Sequence, residues 1–220
     1  MDQPVEDTAS RQSSTQRAYL TLRNDIIAGR IPPGERLKID ALKAALDTGA
    51  SPVREALSLL TSDQLVDRLD QRGFRVAATS RAQFQEILNL RCNLEELALR
   101  DSLANTDTAW EDALVLAHHH MNKVNRNDVD AFEAHHKRFH MALLAACKSP
   151  ILLRFCSQLY DLNVRYRYLA GRAKSYSRRN VEAEHRAILD AAVSRSTDRA
   201  CASLMDHYRK TGAFLAELVD

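Results

Sequence analysis

Hydrophobic residues recur at helical spacing through the last two thirds of the chain, for example at Phe84, Ile87 and Leu88. Residues 80–220 contain one Pro and two Gly, so almost nothing interrupts this pattern. A 3.6-residue period without breakers is typical of amphipathic helices. We therefore predict an all-α bundle for this part of the chain. Its helices are expected at 80–104, 107–124, 128–147, 149–172, 177–195 and 197–218.

The first third reads differently, because short apolar runs alternate with turns that contain Gly and Pro. Three short helices are predicted, at 15–29, 38–46 and 49–60. Two β-prone runs then flank a turn that contains Gly73, which predicts a hairpin of strands at 65–69 and 74–77. Three helices and a hairpin form the element order of a winged helix-turn-helix. The predicted organisation is a loose tail at 1–14, a winged helix-turn-helix at 15–79 and a helical bundle at 80–220.

Composition excludes several classes of protein. With 220 residues, 45% of them hydrophobic and 27% charged, the chain is too apolar to be disordered. Its longest uninterrupted apolar run, 141–147, is much shorter than the roughly 20 residues that cross a bilayer, and its polar N-terminus does not resemble a secretory signal. The four cysteines form no C-x-x-C pair, so we predict neither a disulfide framework nor a zinc ribbon, and we expect a reducing cytoplasm.

A candidate DNA-recognition helix lies at 51–60. A recognition helix presents its N-terminal side chains to base edges while its opposite face packs on the domain core. The predicted buried stripe is Val53, Ala56, Leu57 and Leu60. Ser51, Arg54 and Ser58 fall on the other face, and Arg54 can donate two hydrogen bonds to a guanine edge. An exposed Arg is also common without any partner, and residues 1–79 carry 11 Lys+Arg against 11 Asp+Glu, so charge alone does not identify a DNA-binding protein.

Four further cations are candidates for phosphate contacts. Arg72 and Arg75 flank the predicted tip of the hairpin, where a wing reaches phosphates or the minor groove. Arg36 and Lys38 are predicted to open the second helix, a position suited to phosphate contact.

The N-terminal third resembles the DNA-binding domain of GntR-family transcriptional regulators over about 60 residues. The resemblance is carried by ProProGlyGluArgLeu (32–37), SerProValArgGluAlaLeu (51–57) and ArgGlyPheArgVal (72–76). It implies that Arg54 reads bases, that Ser51 touches DNA, and that Gly73 approaches the minor groove. The chain departs from the family at Asp47, Gly49 and Ala50, which stand where the family usually has Gly, Ser and Arg. The departure predicts a different or weaker half-site, with Thr48 or Ser51 as alternative helix caps.

Histidines provide a second candidate site. His136 and His140 are four residues apart on one predicted helix, so their rings project from the same face. His185 and His207 lie in two later helices, and four converging imidazoles would suit a transition metal. Spacing alone does not bring the two distant histidines to the pair. The run His118, His119 and His120 cannot share one site, and we interpret it as a solvated helix end.

Residues 80–218 resemble the FCD ligand-binding domain of the FadR-type branch of GntR regulators. The resemblance is carried by ArgCysAsnLeuGlu (91–95), PheHisMetAlaLeuLeu (139–144), GluHisArgAlaIleLeu (184–189) and LeuMetAspHis (204–207). Family members often bind a metal through one Asp and three His. The matching positions here are His140, His185 and His207, while His136 occupies the Asp position. Four neutral ligands favour zinc or nickel over hard ions; alternatively, this member has lost the metal and binds its ligand directly.

Three polar residues are candidates for effector binding. Arg91, one turn before Glu95, is a candidate clamp for a carboxylate. Asn163 and Arg167 on the predicted helix 149–172 are weaker candidates. The alternative for each is an ordinary surface or interface residue.

Together these features predict a dimeric transcription factor, most simply a repressor, that acts in the cytoplasm and contacts no membrane. Its expected partners are a pseudo-palindromic double-stranded DNA operator and a small carboxylate metabolite, bound through a divalent transition metal. One alternative is a metal-dependent hydrolase with Glu184 as general base, although no H-E-x-x-H is present. The other keeps the DNA-binding domain and makes the helical part a dimerisation module without ligand.

Overall fold

The computed structural model describes residues 13–170 and 180–216. These residues form two compact units that meet in sequence between Ala78 and Thr79. Most of the predicted tail at 1–14 lies outside the described residues, as do the predicted helix ends at 171–172, 177–179 and 217–218.

The first unit contains three helices and three short strands. The helices are α1 (Ser14–Ile27), α2 (Ile39–Ala45) and α3 (Ala50–Ser62), and the strands are β1 (Arg36–Leu37), β2 (Val66–Leu69) and β3 (Gly73–Val76). Ser13 caps α1 by accepting a hydrogen bond from the backbone N–H of Gln16, so Ser13 and Ser14, which the predicted tail included, belong to the start of this helix. Gly29, at φ 69°, ends α1 in a left-handed turn in which Arg30 N–H bonds the Asp25 carbonyl.

The strands form an antiparallel sheet in the order β1-β3-β2. The predicted hairpin corresponds to β2 and β3, but β1 was not predicted because two residues are too short to show alternation. Arg36 lies in β1 opposite Arg75 and therefore does not open α2, contrary to the prediction. Lys38 is the residue that precedes the first turn of α2.

The second unit is a bundle of helices, as the periodicity predicted. They are α4 (Arg81–Ala104), α5 (Thr108–Lys123), α6 (Val129–Leu144), α7 (Pro150–Ala170), α8 (Val181–Val193) and α9 (Thr197–Ala216). Side-chain oxygens of Ser80, Asp107, Asp128 and Asn180 cap four of the helices. Helix α9 passes close to α4 at Gly212, where a Cβ atom would lie 2.2 Å from Leu88 Cδ2. Within the described residues, no helix has the length and apolarity that crossing a lipid bilayer requires.

The bundle core is apolar except for one buried polar layer. Phe139, Leu143, Ile188 and Leu204 are fully buried in its hydrophobic part. Burial of charged or imidazole side chains is costly unless they are hydrogen-bonded, so a polar layer inside a bundle indicates a specific role. The buried polar side chains of this layer include Arg91, Glu95, His136, His140, Asn163, His185 and His207.

Candidate functional site

Helix α3 presents the predicted recognition surface. Its four predicted core residues, Val53, Ala56, Leu57 and Leu60, have no exposed surface. Ser51, Arg54 and Ser58 are exposed on the opposite face, as the pattern predicted. The Ser58 hydroxyl donates to the Arg54 carbonyl at 2.9 Å, so it is engaged with its own helix. Arg54 is therefore the one long cationic side chain on the exposed face of α3.

Helix α3 begins without a side-chain cap. Gly49 is the residue before its first turn, and no side chain accepts a hydrogen bond from the first N–H groups. Neither Thr48 nor Ser51 takes over the cap, contrary to the alternatives offered by the sequence. The preceding Asp47 has φ 44°, a left-handed conformation in which Asp is tolerated but Gly is better suited.

The wing tip is formed by the turn between β2 and β3. Arg72 is exposed in that turn, and Gly73, at φ 88°, begins β3 with a conformation that favours glycine. Arg75 lies further along β3, opposite Asp67 on β2, and is half-buried. It does not flank the tip as predicted, because β3 already begins at Gly73 and Arg75 lies two residues further along this strand. Arg36 and Lys38 are both exposed.

The four predicted histidines converge in the polar layer of the bundle. One ring nitrogen from each of His136, His140, His185 and His207 lies within 4.8 Å of all the others, and each residue is at least 98% buried. His136 and His140 come from α6, whereas α8 and α9 contribute the other two. His136 Nε2 lies 3.0 Å from His185 Nε2 and 3.1 Å from His140 Nε2. The helical pair and the two distant histidines are therefore brought together.

A chain of hydrogen bonds orients the His140 ring. The Tyr208 hydroxyl donates to Glu95 Oε2 at 2.5 Å, because a carboxylate oxygen can only accept. Its oxygen lies 2.9 Å from His140 Nδ1 and accepts the hydrogen of that nitrogen. His140 Nε2 is consequently left with a free lone pair directed at the other histidines.

His207 is oriented by a carboxylate in the same way. Its Nδ1 donates to Glu184 Oε2 at 2.7 Å, which leaves Nε2 as the available ligand atom. Glu184 thus contacts the side of the His207 ring that faces away from the other three histidines. His185 Nδ1 is buried and has no hydrogen-bond partner among residues 13–170 and 180–216.

The His136 ring contacts a different set of groups through Nδ1. The Tyr160 oxygen lies 2.5 Å from this atom and Arg167 Nη2 lies 3.0 Å from it. Arg167 Nη2 also donates to Glu133, whose Oε2 is 3.9 Å from His136 Nδ1 and thus beyond hydrogen-bond distance.

Burial keeps three of the four rings neutral. It lowers the pKa of His136, His140 and His185 well below 6.5, and neighbouring imidazoles and Arg91 lower the pKa of the first two further. Burial also raises the pKa of Tyr160 and Tyr208 well above 10, so both hydroxyls keep their hydrogens. The cluster therefore presents three neutral imidazoles and two neutral phenols near pH 7.

Two of the three predicted effector-binding residues are joined to each other. Arg91 Nε donates to Glu95 Oε1 at 2.6 Å and its Nη1 donates to Asn163 Oδ1 at 2.9 Å. Burial lowers the pKa of Arg91, but the Glu95 carboxylate more than offsets this and the pKa is raised overall. Arg91 Nη2 is buried without a hydrogen-bond partner in the described part of the chain. Among the described residues, Nη2 is thus the guanidinium nitrogen of Arg91 that is not engaged, and Asn163 helps to hold the group in place.

His118 differs from the prediction of a solvated helix end. It is 4% exposed and packs its ring edge against Phe139, with ring centroids 5.3 Å apart. His119 and His120 are exposed as predicted. His118 lies four residues after the buried Leu114, so the same helix face continues into the histidine run.

Tyr160 and Tyr208 belong to the site but were not singled out in the sequence. Tyr208 directly follows a candidate ligand, yet the neighbouring residue on a helix points about 100° away, so adjacency carried no signal. Glu95 could have been found, because Arg91 and Glu95 are four residues apart at the spacing of a helical ion pair.

The side chains present fit a transition-metal ion. Imidazole nitrogens suit zinc, nickel, copper or iron. Histidine ligands usually donate their second ring N–H to a carboxylate or another oxygen, as His207 does to Glu184 and His140 does to Tyr208. The buried Nδ1 of His185, for which the described part of the chain supplies no hydrogen-bond partner, is the exception to this pattern.

Both halves of the chain match known families. A model of the family described as bacterial regulatory proteins, gntR family, matches residues 14–76, and a model of the FCD domain matches residues 86–210.

Relatives and solved structures agree with these matches. The chain is 36% identical over 206 residues to the uncharacterized HTH-type transcriptional regulator BphR of Paraburkholderia xenovorans (strain LB400), across 90% of this chain and 84% of that protein. It is 32% identical over 197 residues to the HTH-type transcriptional repressor GlaR of Escherichia coli (strain K12), across 86% and 90% of the two chains. E. coli McbR/YncC shares the fold with a TM-score of 0.83 at 21% identity, across 94% of this chain and 99% of that one.

Proposed function

Because the chain belongs to the gntR family of bacterial regulatory proteins and carries an FCD domain, we propose that it is a dimeric repressor relieved by a small carboxylate metabolite. Like its relatives, it is a DNA-binding transcriptional regulator, and it is not an enzyme. The hydrolase alternative is therefore wrong. The position of Glu184 agrees with this, since it holds the far nitrogen of His207 and does not face the centre of the cluster.

The first unit binds the operator through α3 and the wing. Arg54 donates to a guanine edge, with a discrimination of about 1–3 kcal/mol against the wrong base. The sugar-phosphate backbone of the DNA near that base is contacted by Ser51, Arg36, Lys38 and Arg72. Gly73 lets the wing tip approach the minor groove. Two copies of the unit in a dimer read two half-sites, so the operator is pseudo-palindromic.

The second unit binds the effector at the histidine cluster. His140, His185 and His207 would hold a divalent ion, zinc or nickel, with His136 facing the same point. When bound, the ion supplies a positive charge for an anionic oxygen. Arg91 adds Nη2 as a buried hydrogen-bond donor. A carboxylate has two oxygens, so one can bind the ion while the other accepts from Arg91. The observation that carries this proposal is the convergence of four buried imidazoles of which three are held neutral.

Effector and operator are coupled by linkage. If the effector lowers the affinity for the operator by a given factor, the operator lowers the affinity for the effector by the same factor. This requires only that the effector binds one state of the protein better than the other.

The proposed dimer uses an exposed apolar face of the bundle. Leu90 and Leu97 lie seven residues apart on α4 and are 42% and 57% exposed. Ile151 and Phe155 are exposed on the adjacent helix α7. Clusters of exposed apolar side chains mark sites of protein association. The proposed place of action is the cytoplasm, where a bacterial operator is found.

One experiment separates the proposed metabolite sensor from a ligand-free dimerisation module. Purified full-length chain is stripped with a chelator, reloaded with zinc or nickel and assayed for metal content by mass spectrometry. Thermal unfolding is then recorded with a panel of small carboxylates, and any stabilising compound is added to the protein on a duplex that it selects from a random library. We expect one ion per chain, saturable stabilisation and release of DNA. A chain that takes up neither ion nor carboxylate would be a ligand-free dimerisation module.

A further inference from the structure

The hydroxyl of Tyr160 has one hydrogen-bond acceptor among the described residues. Among the described residues its hydrogen-bond neighbours are His136 Nδ1 at 2.5 Å and Arg167 Nη2 at 3.4 Å. A guanidinium nitrogen is only a donor, so it cannot accept that hydrogen. A buried hydroxyl that fails to donate keeps its full desolvation penalty. Tyr160 therefore donates to His136 Nδ1.

Arg167 is compatible with this direction. Its Nη2 carries two hydrogens and lies near the Glu133 carboxylate, His136 Nδ1 and, at 3.4 Å, the Tyr160 oxygen. A hydrogen on Nδ1 would point at the Tyr160 and Arg167 donors and leave the Tyr160 hydrogen without an acceptor among the described residues. Tyr160 thus requires His136 Nδ1 to be an acceptor, and a neutral imidazole with a bare Nδ1 carries its hydrogen on Nε2.

The other oriented rings have the opposite tautomer. His140 carries its hydrogen on Nδ1 because the Tyr208 hydroxyl is already committed to Glu95, and His207 does so because Glu184 can only accept. In the metal-free protein the His136 Nε2 hydrogen consequently points at the bare Nε2 of His140, 3.1 Å away, and at His185 Nε2, 3.0 Å away. Every hydrogen bond of this network is then satisfied in one direction, from Arg167 to Glu95.

We infer that His136 is a hydrogen-bond donor and not a fourth metal ligand, and that it recognises the anionic oxygen of the effector through its Nε2 hydrogen. His140, His185 and His207 then form a three-histidine centre. Three protein ligands leave a coordination position open for a ligand oxygen, unlike a closed four-ligand site. This inference rests on the proposed metal site and assigns different roles within it.

The assignment explains how His can stand where the resemblance implies Asp. An aspartate would bring a negative charge to the ion and compete with an incoming anion. A neutral N–H donor instead adds an attractive contact for an anionic oxygen. Arg91, whose guanidinium lies over the rings of Tyr160 and Tyr208, has in Nη2 a buried donor without a partner among the described residues. The ligand class that fits is a small carboxylate with one oxygen on the ion and at least one further acceptor.

The tautomers can be measured directly in the metal-free, full-length protein. Long-range ¹H–¹⁵N spectra of ¹⁵N-histidine-labelled chain separate protonated from bare ring nitrogens, and single His→Gln variants assign the signals. We expect the hydrogen on Nε2 for His136 and on Nδ1 for His140 and His207. A His136 ring with its hydrogen on Nδ1 overturns the inference, whatever the metal content.

Metal titration tests the same assignment independently. Zinc affinity is measured by competition with a chelator for wild type, His136→Gln and His140→Gln, after circular dichroism has shown that each variant is folded. We expect His136→Gln to keep one ion per chain with an affinity within a few-fold of wild type, and His140→Gln to lose more than about 100-fold, beyond the typical effect of losing an outer partner. If both variants lose the ion alike, His136 is a ligand and the inference is wrong. If wild type binds no ion, the proposed metal site itself fails.

The donor role is tested with acetate on cobalt-loaded protein, followed through the visible absorption of the ion. His136→Leu removes the donor and is expected to weaken acetate binding about 10-fold or more, the effect of losing a charge-assisted hydrogen bond of about 1.5–3 kcal/mol. His136→Gln retains an N–H donor and is therefore expected to bind acetate more tightly than His136→Leu does. Equal acetate binding by wild type and His136→Leu contradicts the role.

Discussion

The Nδ1 atom of His140 on α6 lies 2.9 Å from the hydroxyl oxygen of Tyr208 on α9. The Glu95 carboxylate accepts hydrogen bonds from both Tyr208 and Arg91. The orientation of the His140 ring therefore depends on side chains from α4, α6 and α9. Breaking one partner of a buried network leaves the others unsatisfied, which makes such networks rigid. The position of the candidate ligand is therefore fixed by the packing of three helices.

Glu184→Gln should weaken metal binding without unfolding the chain. The carboxylate holds His207 Nδ1 at 2.7 Å, and loss of such an outer partner typically lowers metal affinity by about 10- to 100-fold. Zinc competition assays measure the change. Glu182→Gln is the matched control, because this carboxylate is exposed on the same helix. Equal affinities for the two variants would show that Glu184 does not support the ligand.

The metal-free protein should lose stability below about pH 6.5. Burial lowers the pKa of His136, His140 and His185 in the folded state, whereas in the unfolded chain each has a pKa of about 6.5. The unfolded state therefore binds more protons as the pH falls below that value, and the free energy of unfolding decreases by up to about 1.4 kcal/mol per pH unit for each ring. Denaturant titrations between about pH 7.5 and 5 measure the slope. A flat profile would contradict the burial of the three rings, and His140→Gln should lower the slope by one proton.

Arg54→Ala should remove specific operator binding while the fold is retained. Its side chain is exposed on a helix whose opposite face is fully buried, so the substitution leaves packing intact. Loss of a bidentate base contact costs about 1–3 kcal/mol, or about 5- to 150-fold in affinity. Fluorescence anisotropy with the selected duplex and a scrambled duplex gives both affinities. Arg138→Ala, an exposed arginine of the second unit, is the control, and undiminished specific binding by Arg54→Ala would remove this residue from base reading.

Arg72→Ala should weaken specific and non-specific DNA binding alike. Arg72 is exposed at the wing tip, where it is proposed to contact a phosphate. Losing one phosphate contact reduces the slope of log affinity against log salt concentration by about 1. Binding to the two duplexes across a salt series measures it, with Gln71→Ala in the same turn as control. A loss confined to the specific duplex would indicate base reading by the wing.

Leu97→Glu should dissociate the proposed dimer. Leu97 is 57% exposed on α4, and burying an unpaired carboxylate at an interface is strongly unfavourable. Light scattering should give the mass of one chain for this variant and of two for wild type. Leu116→Glu on α5, at a side chain that is 54% exposed, is the matched control. If Leu97→Glu remains dimeric, the dimer uses another face.

Local patterns predicted much of this fold, because helices and the core stripe of α3 depend on residues close together in sequence. The pairing of Arg36 with Arg75 and the burial of His118 escaped prediction, since both depend on which segments meet in space. The histidine cluster could be predicted only in part from local spacing. His136 and His140 follow from helical spacing, but His185 and His207 joined them only through the family resemblance. Which ring nitrogen carries the hydrogen depends on Tyr160, Tyr208 and Arg167, whose placement no sequence spacing revealed.

The glycine before α3 affects the stability of the start of that helix. Within the described residues, no side chain caps the first turn, whose N–H groups belong to Ala50 and Ser51. Pro52 has no N–H group that would need a cap. Gly at this position is only about a few tenths of a kcal/mol less favourable than Ser, Thr, Asp or Asn. The departure from the family pattern at Gly49 therefore costs the first unit little stability.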